Sequence, residues 1–321
     1  MALGNLVCRN KGNATHAIQA GVVEPLTVLV GQGLPVARAW AAYTLGCLSS
    51  SPDIQRSLQA TNAIEAVSSL LTSGDGLQQQ WAAYALASLA PDGSPRYIKD
   101  SIRVLTLLVE RGSSGQKIWA TYALGQMAPF VQQEVIPRVV EALLVVLSAD
   151  VEMQRLWAAT AVRKLIDGSP LTRAAFVRAG SIPHLVAVVE GDEGETRVIA
   201  VRTLTALAAH SVPNCDAVVA SGVASLLPDM VRTGSRDEKL DAVRLLRVVA
   251  TKASNKSCMV LASPSTIATL VEAVQSPSMS ADVQEQASWT IGYLARANEE
   301  TRAAIESSGV VATFTQIAAT T

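Results

Sequence analysis

The stretch Trp40-Ala-Ala-Tyr-Thr-Leu-Gly-Cys-Leu48 decides the reading of this chain, because the same nine-residue design returns along its length. It reappears as Trp81-Ala-Ala-Tyr-Ala-Leu-Ala-Ser-Leu89, Trp119-Ala-Thr-Tyr-Ala-Leu-Gly-Gln-Met127 and Trp157-Ala-Ala-Thr-Ala-Val-Arg-Lys-Leu165. Weaker copies close at Leu207, Val249 and Leu294, and half a copy, Ala2-Leu-Gly-Asn-Leu6, opens the chain. The closing positions lie 42, 41, 38, 38, 42, 42 and 45 residues apart. A period of this size marks an array of helical repeats.

Counted back from each closing residue, small or apolar side chains fall at 0, −3, −4 and −7, as in Leu48, Leu45, Thr44 and Ala41 or Leu89, Leu86, Ala85 and Ala82. That spacing is the stripe of a buried helix face. Its Ala and Gly residues let neighbouring helices approach closely. A second stripe at −8, −5 and −1 lies roughly 120° around the helix. It carries Trp40 and Tyr43, Trp81 and Tyr84, then Trp119 and Tyr122. Stacking the repeats would align these residues as a ladder on one side.

A length of 321 residues ordinarily suggests about two domains, but an array grows by repetition. A single array over 1–321, with partial repeats at both ends, is therefore expected. Hydrophobic residues make up 49% and aromatics 4%, so Ala, Leu and Val have to build the core. The formal charge of −1, from 26 basic and 27 acidic residues, removes the simplest case for nucleic acid as a partner. Cys8, Cys47, Cys215 and Cys258 show no Cys-x-x-Cys pair and no His at ligand spacing. They read as small core residues of a reducing compartment, with no metal and no cofactor implied. The N-terminal sequence lacks a secretory apolar region, and no run approaches the roughly 18 apolar residues that span a bilayer. A soluble protein of the cytoplasm or nucleus, not inserted in a membrane, is expected.

The joints between helices repeat as well. Ala20-Gly21 followed by Pro25 reads as a left-handed glycine closing one helix and a proline in the first turn of the next, and Gly180, Gly222 and Gly309 occupy equivalent places. Asp92-Gly-Ser-Pro95 and Asp167-Gly-Ser-Pro170 read as helix end, Ser cap and Pro at the first helical position, and Ser51-Pro52 as a shorter version. The repeats closing at Met127 and Leu165 have curtailed first helices, Arg96 to Asp100 and Phe130 to Val135. Glu299 to Ser308 and Val310 to Ala319 supply two helices without a third. Both ends thus leave apolar faces to be covered, by more of a longer array or by something else.

The segments Ala20-Gly-Val-Val-Glu-Pro-Leu-Thr-Val-Leu-Val30 and Ala179-Gly-Ser-Ile-Pro-His-Leu-Val-Ala-Val-Val189 resemble the second helix of armadillo repeats. Ala2-Leu-Gly-Asn-Leu6 and Trp81-Ala-Ala-Tyr-Ala-Leu-Ala-Ser-Leu89 resemble the third, and the likeness extends over essentially the whole chain. The resemblance implies an all-α fold, an α-solenoid in the form of a right-handed superhelix of about seven repeats, with the two shorter central ones closer to HEAT hairpins. It further implies a protein-interaction scaffold whose third helices line a concave groove for an extended peptide or partner protein. Catenins, nuclear import adaptors and vacuole-anchored scaffolds share this fold, so the fold alone does not select among them. Third helices of the import adaptors resemble W-A-L-T-N, with Trp at −5 and Asn at −1 clamping a basic peptide. Here the −5/−1 pairs run Tyr43/Cys47, Tyr84/Ser88, Tyr122/Gln126, Thr160/Lys164, Arg202/Ala206, Arg244/Val248 and Trp289/Tyr293, and only Asn5 fills the Asn position. That pattern argues against import-adaptor function.

The candidate partner-binding residues are Trp40, Tyr43, Trp81, Tyr84, Trp119, Tyr122 and Trp157, then Lys164, Arg202 and Arg244, and finally Trp289. The tryptophans at −8 have a second reading, tucked edgewise against small residues of the neighbouring repeat. The basic residues have one too, as a solvated face, and Asp241 at −8 blunts their field. Helices stacked about 10 Å apart would set Tyr43, Tyr84 and Tyr122 at that interval. An extended peptide would then place a side chain on each at about every third residue, apolar at one end and acidic at the other.

Catalytic groupings are not found. Gly112-Ser-Ser-Gly-Gln-Lys117 lacks the spacer and ending of a phosphate loop, and His16, His184 and His210 are isolated. The expected function is a non-enzymatic scaffold. The alternative is an architectural spacer, or a fragment of a larger scaffold, that works through its ends.

Overall fold

The stripe at 0, −3, −4 and −7 is what each repeat buries. In the computed structural model, which describes residues 1–49, 55, 58, 62–89, 95–297 and 299–309, Leu48, Leu45, Thr44 and Ala41 are all buried. Their counterparts Leu89, Leu86, Ala85 and Ala82, and Leu165, Val162, Ala161 and Ala158, are buried likewise. No strand occurs among the described residues, and the fold is an all-α helical-repeat solenoid.

The chain divides into two compact units, 1–179 and 180–321. In the first unit the third helices Pro35–Leu48, Gly76–Leu89, Ser114–Gln126 and Glu152–Gly168 pack one on the next, and the short helix Ala2–Val7 packs on Pro35–Leu48. Beside them runs a row of second helices, Val23–Gln32, Ala63–Ser73, Pro95–Arg111 and Ile136–Leu147. In the second unit Gly194–Ala208 packs on Arg236–Lys252, which packs on Ala281–Ala297. Ser181–Gly191, Leu227–Thr233 and Pro264–Gln275 lie beside them in turn. The two shorter repeats lose their first helices in different ways. Residues 96–100 are the opening turns of one continuous helix, Pro95–Arg111, whereas the next repeat keeps only two 3-10 turns, Ala128–Phe130 and Gln133–Val135.

The joints follow the residues chosen for them. Gly21, Gly180, Gly222 and Gly309 have φ of +78°, +79°, +88° and +77°, a region that costs any residue with a Cβ. At the joint after Glu152–Gly168, the Ser169 side chain accepts from Leu171 N at 3.2 Å and Pro170 opens the helix Pro170–Arg178. The equivalent residues 92–94 and 51–52, and the helix expected over 310–319, lie outside the described residues.

A polar tie also joins successive third helices, and its sequence signal is a Gln recurring at −11. Gln78, Gln116 and Gln154 are all buried. Gln78 Nε2 donates to Pro35 O at 3.3 Å, Gln116 Nε2 to Gln79 Oε1 at 2.8 Å and Gln154 Nε2 to Ser114 Oγ at 2.9 Å. Each amide reaches back to the start of the preceding third helix, so the polar group is satisfied and the register of the pair is fixed. In the second unit Glu238 takes this position and accepts from Arg197 at 3.4 Å.

No single helix among the described residues is long and apolar enough to cross a membrane; the pair Asn255–Leu261 and Pro264–Gln275 reaches the length only together, bent by 69°.

Two glycine substitutions separate backbone strain from space. A Cβ on Gly180 would meet nothing within 4 Å, so any loss in Gly180→Ala comes from its left-handed backbone, and chemical denaturation should show about 1 kcal/mol or more of destabilisation. Gly31, inside Val23–Gln32, is equally unobstructed but has no left-handed backbone. Gly31→Ala should therefore stabilise, by roughly 0.5–1 kcal/mol. Equal responses at the two positions would contradict this account of the joint.

Candidate functional site

The ladder of the first unit is built from small residues. A Cβ on Gly46 would lie 2.8 Å from the Tyr84 ring and 3.0 Å from Ala85 Cα, and one on Gly4 would lie 2.8 Å from the Tyr43 ring. The glycine at −2 of one repeat is thus the seat of the tyrosine at −5 of the next for Tyr43 and Tyr84, while Ala87 stands at −2 before Tyr122. Tyr43 Oη donates to Asn5 Oδ1 at 3.3 Å, so Asn5 is engaged by the ladder itself.

With the tyrosines seated in this way, the tryptophans fall between them. The tyrosine of each repeat meets the tryptophan of the following one edge to face, at 4.7 Å for Tyr43–Trp81, 4.8 Å for Tyr84–Trp119 and 4.7 Å for Tyr122–Trp157. Trp40–Trp81 and Trp81–Trp119 are 5.8 and 6.0 Å apart, and Tyr43–Tyr84 is 5.7 Å. The tyrosine rungs expected at the helix spacing of about 10 Å are therefore much closer, because the rings lean together over the small residues. All seven side chains are half-buried, so the tryptophans combine both readings: each packs on its neighbour and still presents surface. Trp81 touches Trp40, Tyr43, Tyr84 and Trp119, and its buried Nε1 has no hydrogen-bond acceptor.

Two adjoining hollows open along this stack. The larger, of about 560 Å³, is walled by Trp81, Trp119 and Trp157 with Tyr43, Tyr84 and Tyr122, and is completed by Cys8, Arg9 and Ser88. The smaller, of about 390 Å³, shares Cys8, Arg9, Tyr84, Ser88 and Tyr122 and extends over Gly46, Cys47 and Gln126. Sequence periodicity put Ser88 at −1 of the ladder stripe without making it a candidate, and gave no signal for Arg9 or Cys8. Arg9 and Cys8 sit on the joint before Lys11–Gln19, where no stripe position points to them.

Burial raises the phenols of Tyr43 and Tyr84 well above the ordinary value, and the neighbouring Cys47 adds to both. Burial likewise lifts the Cys47 thiol to about 11, and its Sγ lies 3.7 Å from Tyr84 Oη. Lys164 is exposed, donates from Nζ to Gln126 Oε1 at 2.6 Å, and is lowered by desolvation of its ammonium.

The second unit makes the same inter-repeat contact with charge. Arg202 at −5 donates from Nε to Asp241 Oδ2 at 2.7 Å, and Asp241 stands at −8 of the following repeat, the position that tryptophan fills in the first unit. Arg244 lies 3.5 Å from the other carboxylate oxygen. Asp241 is only 2% exposed, and that burial pushes its carboxyl above the ordinary range against the pull of Arg202 and Arg244. Both arginines are thereby engaged within their own unit. Trp289 is 56% exposed and stacks on Tyr293 at 6.3 Å. Among the candidate residues, the structure brings the seven rings from Trp40 to Trp157 into one continuous stack; Arg202, Arg244 and Trp289 belong to the second unit.

No protein-family model and no curated protein sequence matches the chain. Among solved structures it is similar to the crystal structure of an engineered protein, with a TM-score of 0.83 and 24% identity over 97% of this chain and 77% of that one. It is also similar to a designed armadillo repeat protein, with a TM-score of 0.60 and 21% identity over 72% of this chain and 99% of that one. The fold is of the armadillo-repeat type.

Two titrations test this geometry. Tyr43 and Tyr84 have folded pKa values raised above the unfolded value of about 10. Their contribution to stability is full below that value and is lost as the pH climbs past it. Absorbance at 295 nm should show these two phenols ionising only together with loss of helix; independent titration near the ordinary value would contradict the packed ladder. In the second unit, Arg202→Ala leaves Asp241 with Arg244 as its remaining partner and should cost about 1–3 kcal/mol at neutral pH. Because the Asp241 pKa is raised in the folded state, protonation removes the unpaired charge, and the deficit should shrink as the pH falls toward the unfolded value. A deficit that grows on acidification would contradict the pairing.

Proposed function

We propose that this chain is a non-enzymatic protein-interaction scaffold whose first unit binds an extended peptide segment along the aromatic stack. The observation that carries this reading is the hollow of about 560 Å³ walled by six interleaved rings. Half-buried aromatic walls at fixed spacing are the kind of surface on which a few side chains supply most of the binding energy. Successive contacts such as Tyr43–Tyr84 at 5.7 Å come close to the two-residue repeat of an extended chain. Alternate side chains of the peptide would therefore meet the stack, rather than every third one. The partner is a protein segment with spaced apolar residues, bound in the cytoplasm or nucleus.

A second reading, an architectural element that works through its end, is favoured by a different observation. A hollow of about 460 Å³ lined by Leu26, Leu29, Leu34, Val36 and Trp40 is almost wholly apolar, and Leu34 is 80% exposed. Such a surface suits the flank of another helical layer.

Peptides selected from a displayed random library against the full chain separate the two readings. On the groove reading, Tyr84→Ala combined with Tyr122→Ala should weaken a selected peptide by tens of fold while helix content is kept. Leu34→Ser combined with Val36→Ser should leave binding unchanged. Binding that survives the tyrosine changes and is lost with the leucine and valine changes would favour the second reading.

A further inference from the structure

Arg9 is the only non-glycine among the described residues with a left-handed backbone, at φ +56°. The other such positions are Gly21, Gly180, Gly194, Gly222 and Gly309. An L residue persists in that region only when its surroundings impose it, and an outlier of this kind points toward function. Here the turn is clamped on both sides. Asn10 N donates to Val7 O at 3.1 Å, Asn10 Oδ1 accepts from Asn13 N at 3.0 Å, and Asn13 Nδ2 donates to Leu6 O at 2.9 Å.

The clamped turn delivers the Arg9 side chain to the aromatic stack. Arg9 is exposed and lines both hollows, and it is the only charged residue in either lining. It makes no ion pair or side-chain hydrogen bond among the described residues. The cations that periodicity assigned to the ladder are committed elsewhere: Arg202 and Arg244 to Asp241, and Lys164 to Gln126. What remains among the described residues is a single free guanidinium beside aromatic walls, with Tyr84, Tyr122 and Ser88 lining both hollows with it.

We infer that Arg9 is the specificity-determining residue of the groove, taking the carboxylate of an Asp or Glu in an extended peptide whose flanking apolar side chains lie on the Tyr84, Trp119 and Tyr122 wall. The inference rests on the peptide-binding reading above. One guanidinium matches one carboxylate through two parallel hydrogen bonds, whereas a phosphate dianion calls for more positive charge than either hollow offers. The acidic residue therefore docks beside Tyr84, Ser88 and Tyr122, the lining that both hollows share with Arg9, and not at the row of basic residues beginning with Lys164 that the sequence suggested.

The test uses the full chain and a displayed random dodecapeptide library. Selected peptides should carry one Asp or Glu at a fixed distance from apolar or aromatic residues. Changing that acid to its amide, or making Arg9→Gln, should each weaken binding about tenfold or more. The two changes together should weaken it little further, because they remove the same contact. Arg9→Glu should redirect the selection toward Lys or Arg at that peptide position. Arg9→Gly, which relieves the left-handed backbone, should keep the fold and lose the acidic preference, so misfolding cannot account for the loss. Selected peptides without an acidic preference, or an acidic preference indifferent to Arg9→Gln, would overturn the inference and leave groove binding standing. A phosphorylated side chain that binds at least tenfold better than Glu through Arg9 would overturn the assignment to a carboxylate. Failure to select any peptide would overturn groove binding and the inference with it.

Discussion

The close approach of successive third helices at their small residues is the constraint on which the first unit depends. Gly46 leaves no room for a methyl group between itself and Ala85 Cα, and a Cβ on Gly125 would come within 3.0 Å of Ala161 Cα. Once backbones are that close, the rings at −5 and −8 are forced into contact with the neighbouring repeat. The interleaved stack, the size of the hollows beside it and the raised phenols of Tyr43 and Tyr84 all follow from this approach. Aromatic pairs of this geometry contribute about 0.5–1.5 kcal/mol each beyond their burial, so the ladder both ties the repeats together and presents a surface.

The same inter-repeat contact is written in two chemistries. In the first unit a tyrosine at −5 meets a tryptophan at −8, while in the second Arg202 meets Asp241. The pair Arg202–Asp241 is directional and largely self-neutralising, so it fixes register while offering little to a ligand. The ring pairs are apolar and leave their faces partly open. This difference is why the proposed peptide surface is drawn on the first unit, while the second unit's arginines are engaged by Asp241.

Much of the fold could be read from the chain, because its rules are local. A left-handed joint demands glycine, so Gly21, Gly180, Gly222 and Gly309 announced themselves. The buried stripe of each third helix follows from helical periodicity alone. The site was harder to read, because the distance between the Tyr43 and Tyr84 rings depends on how closely two helices 41 residues apart in sequence approach, and periodicity carries no such length. Arg9 had no signal of its own, since it stands at a joint and its left-handed backbone belongs to a residue type that gives no hint of it. The pairing of Arg202 and Arg244 with Asp241 was partly visible as opposite charges at −5 and −8, but its burial was not.

The most direct test of the central claim is a two-dimensional NMR titration of the tryptophan indole N–H signals of the full chain with a library-selected peptide. The account predicts that the signals of Trp81, Trp119 and Trp157, which wall the larger hollow, shift together while that of the exposed Trp289 stays in place. Shifts confined to Trp289, or binding that leaves all three wall tryptophans unmoved, would contradict the assignment of the aromatic stack as the binding surface.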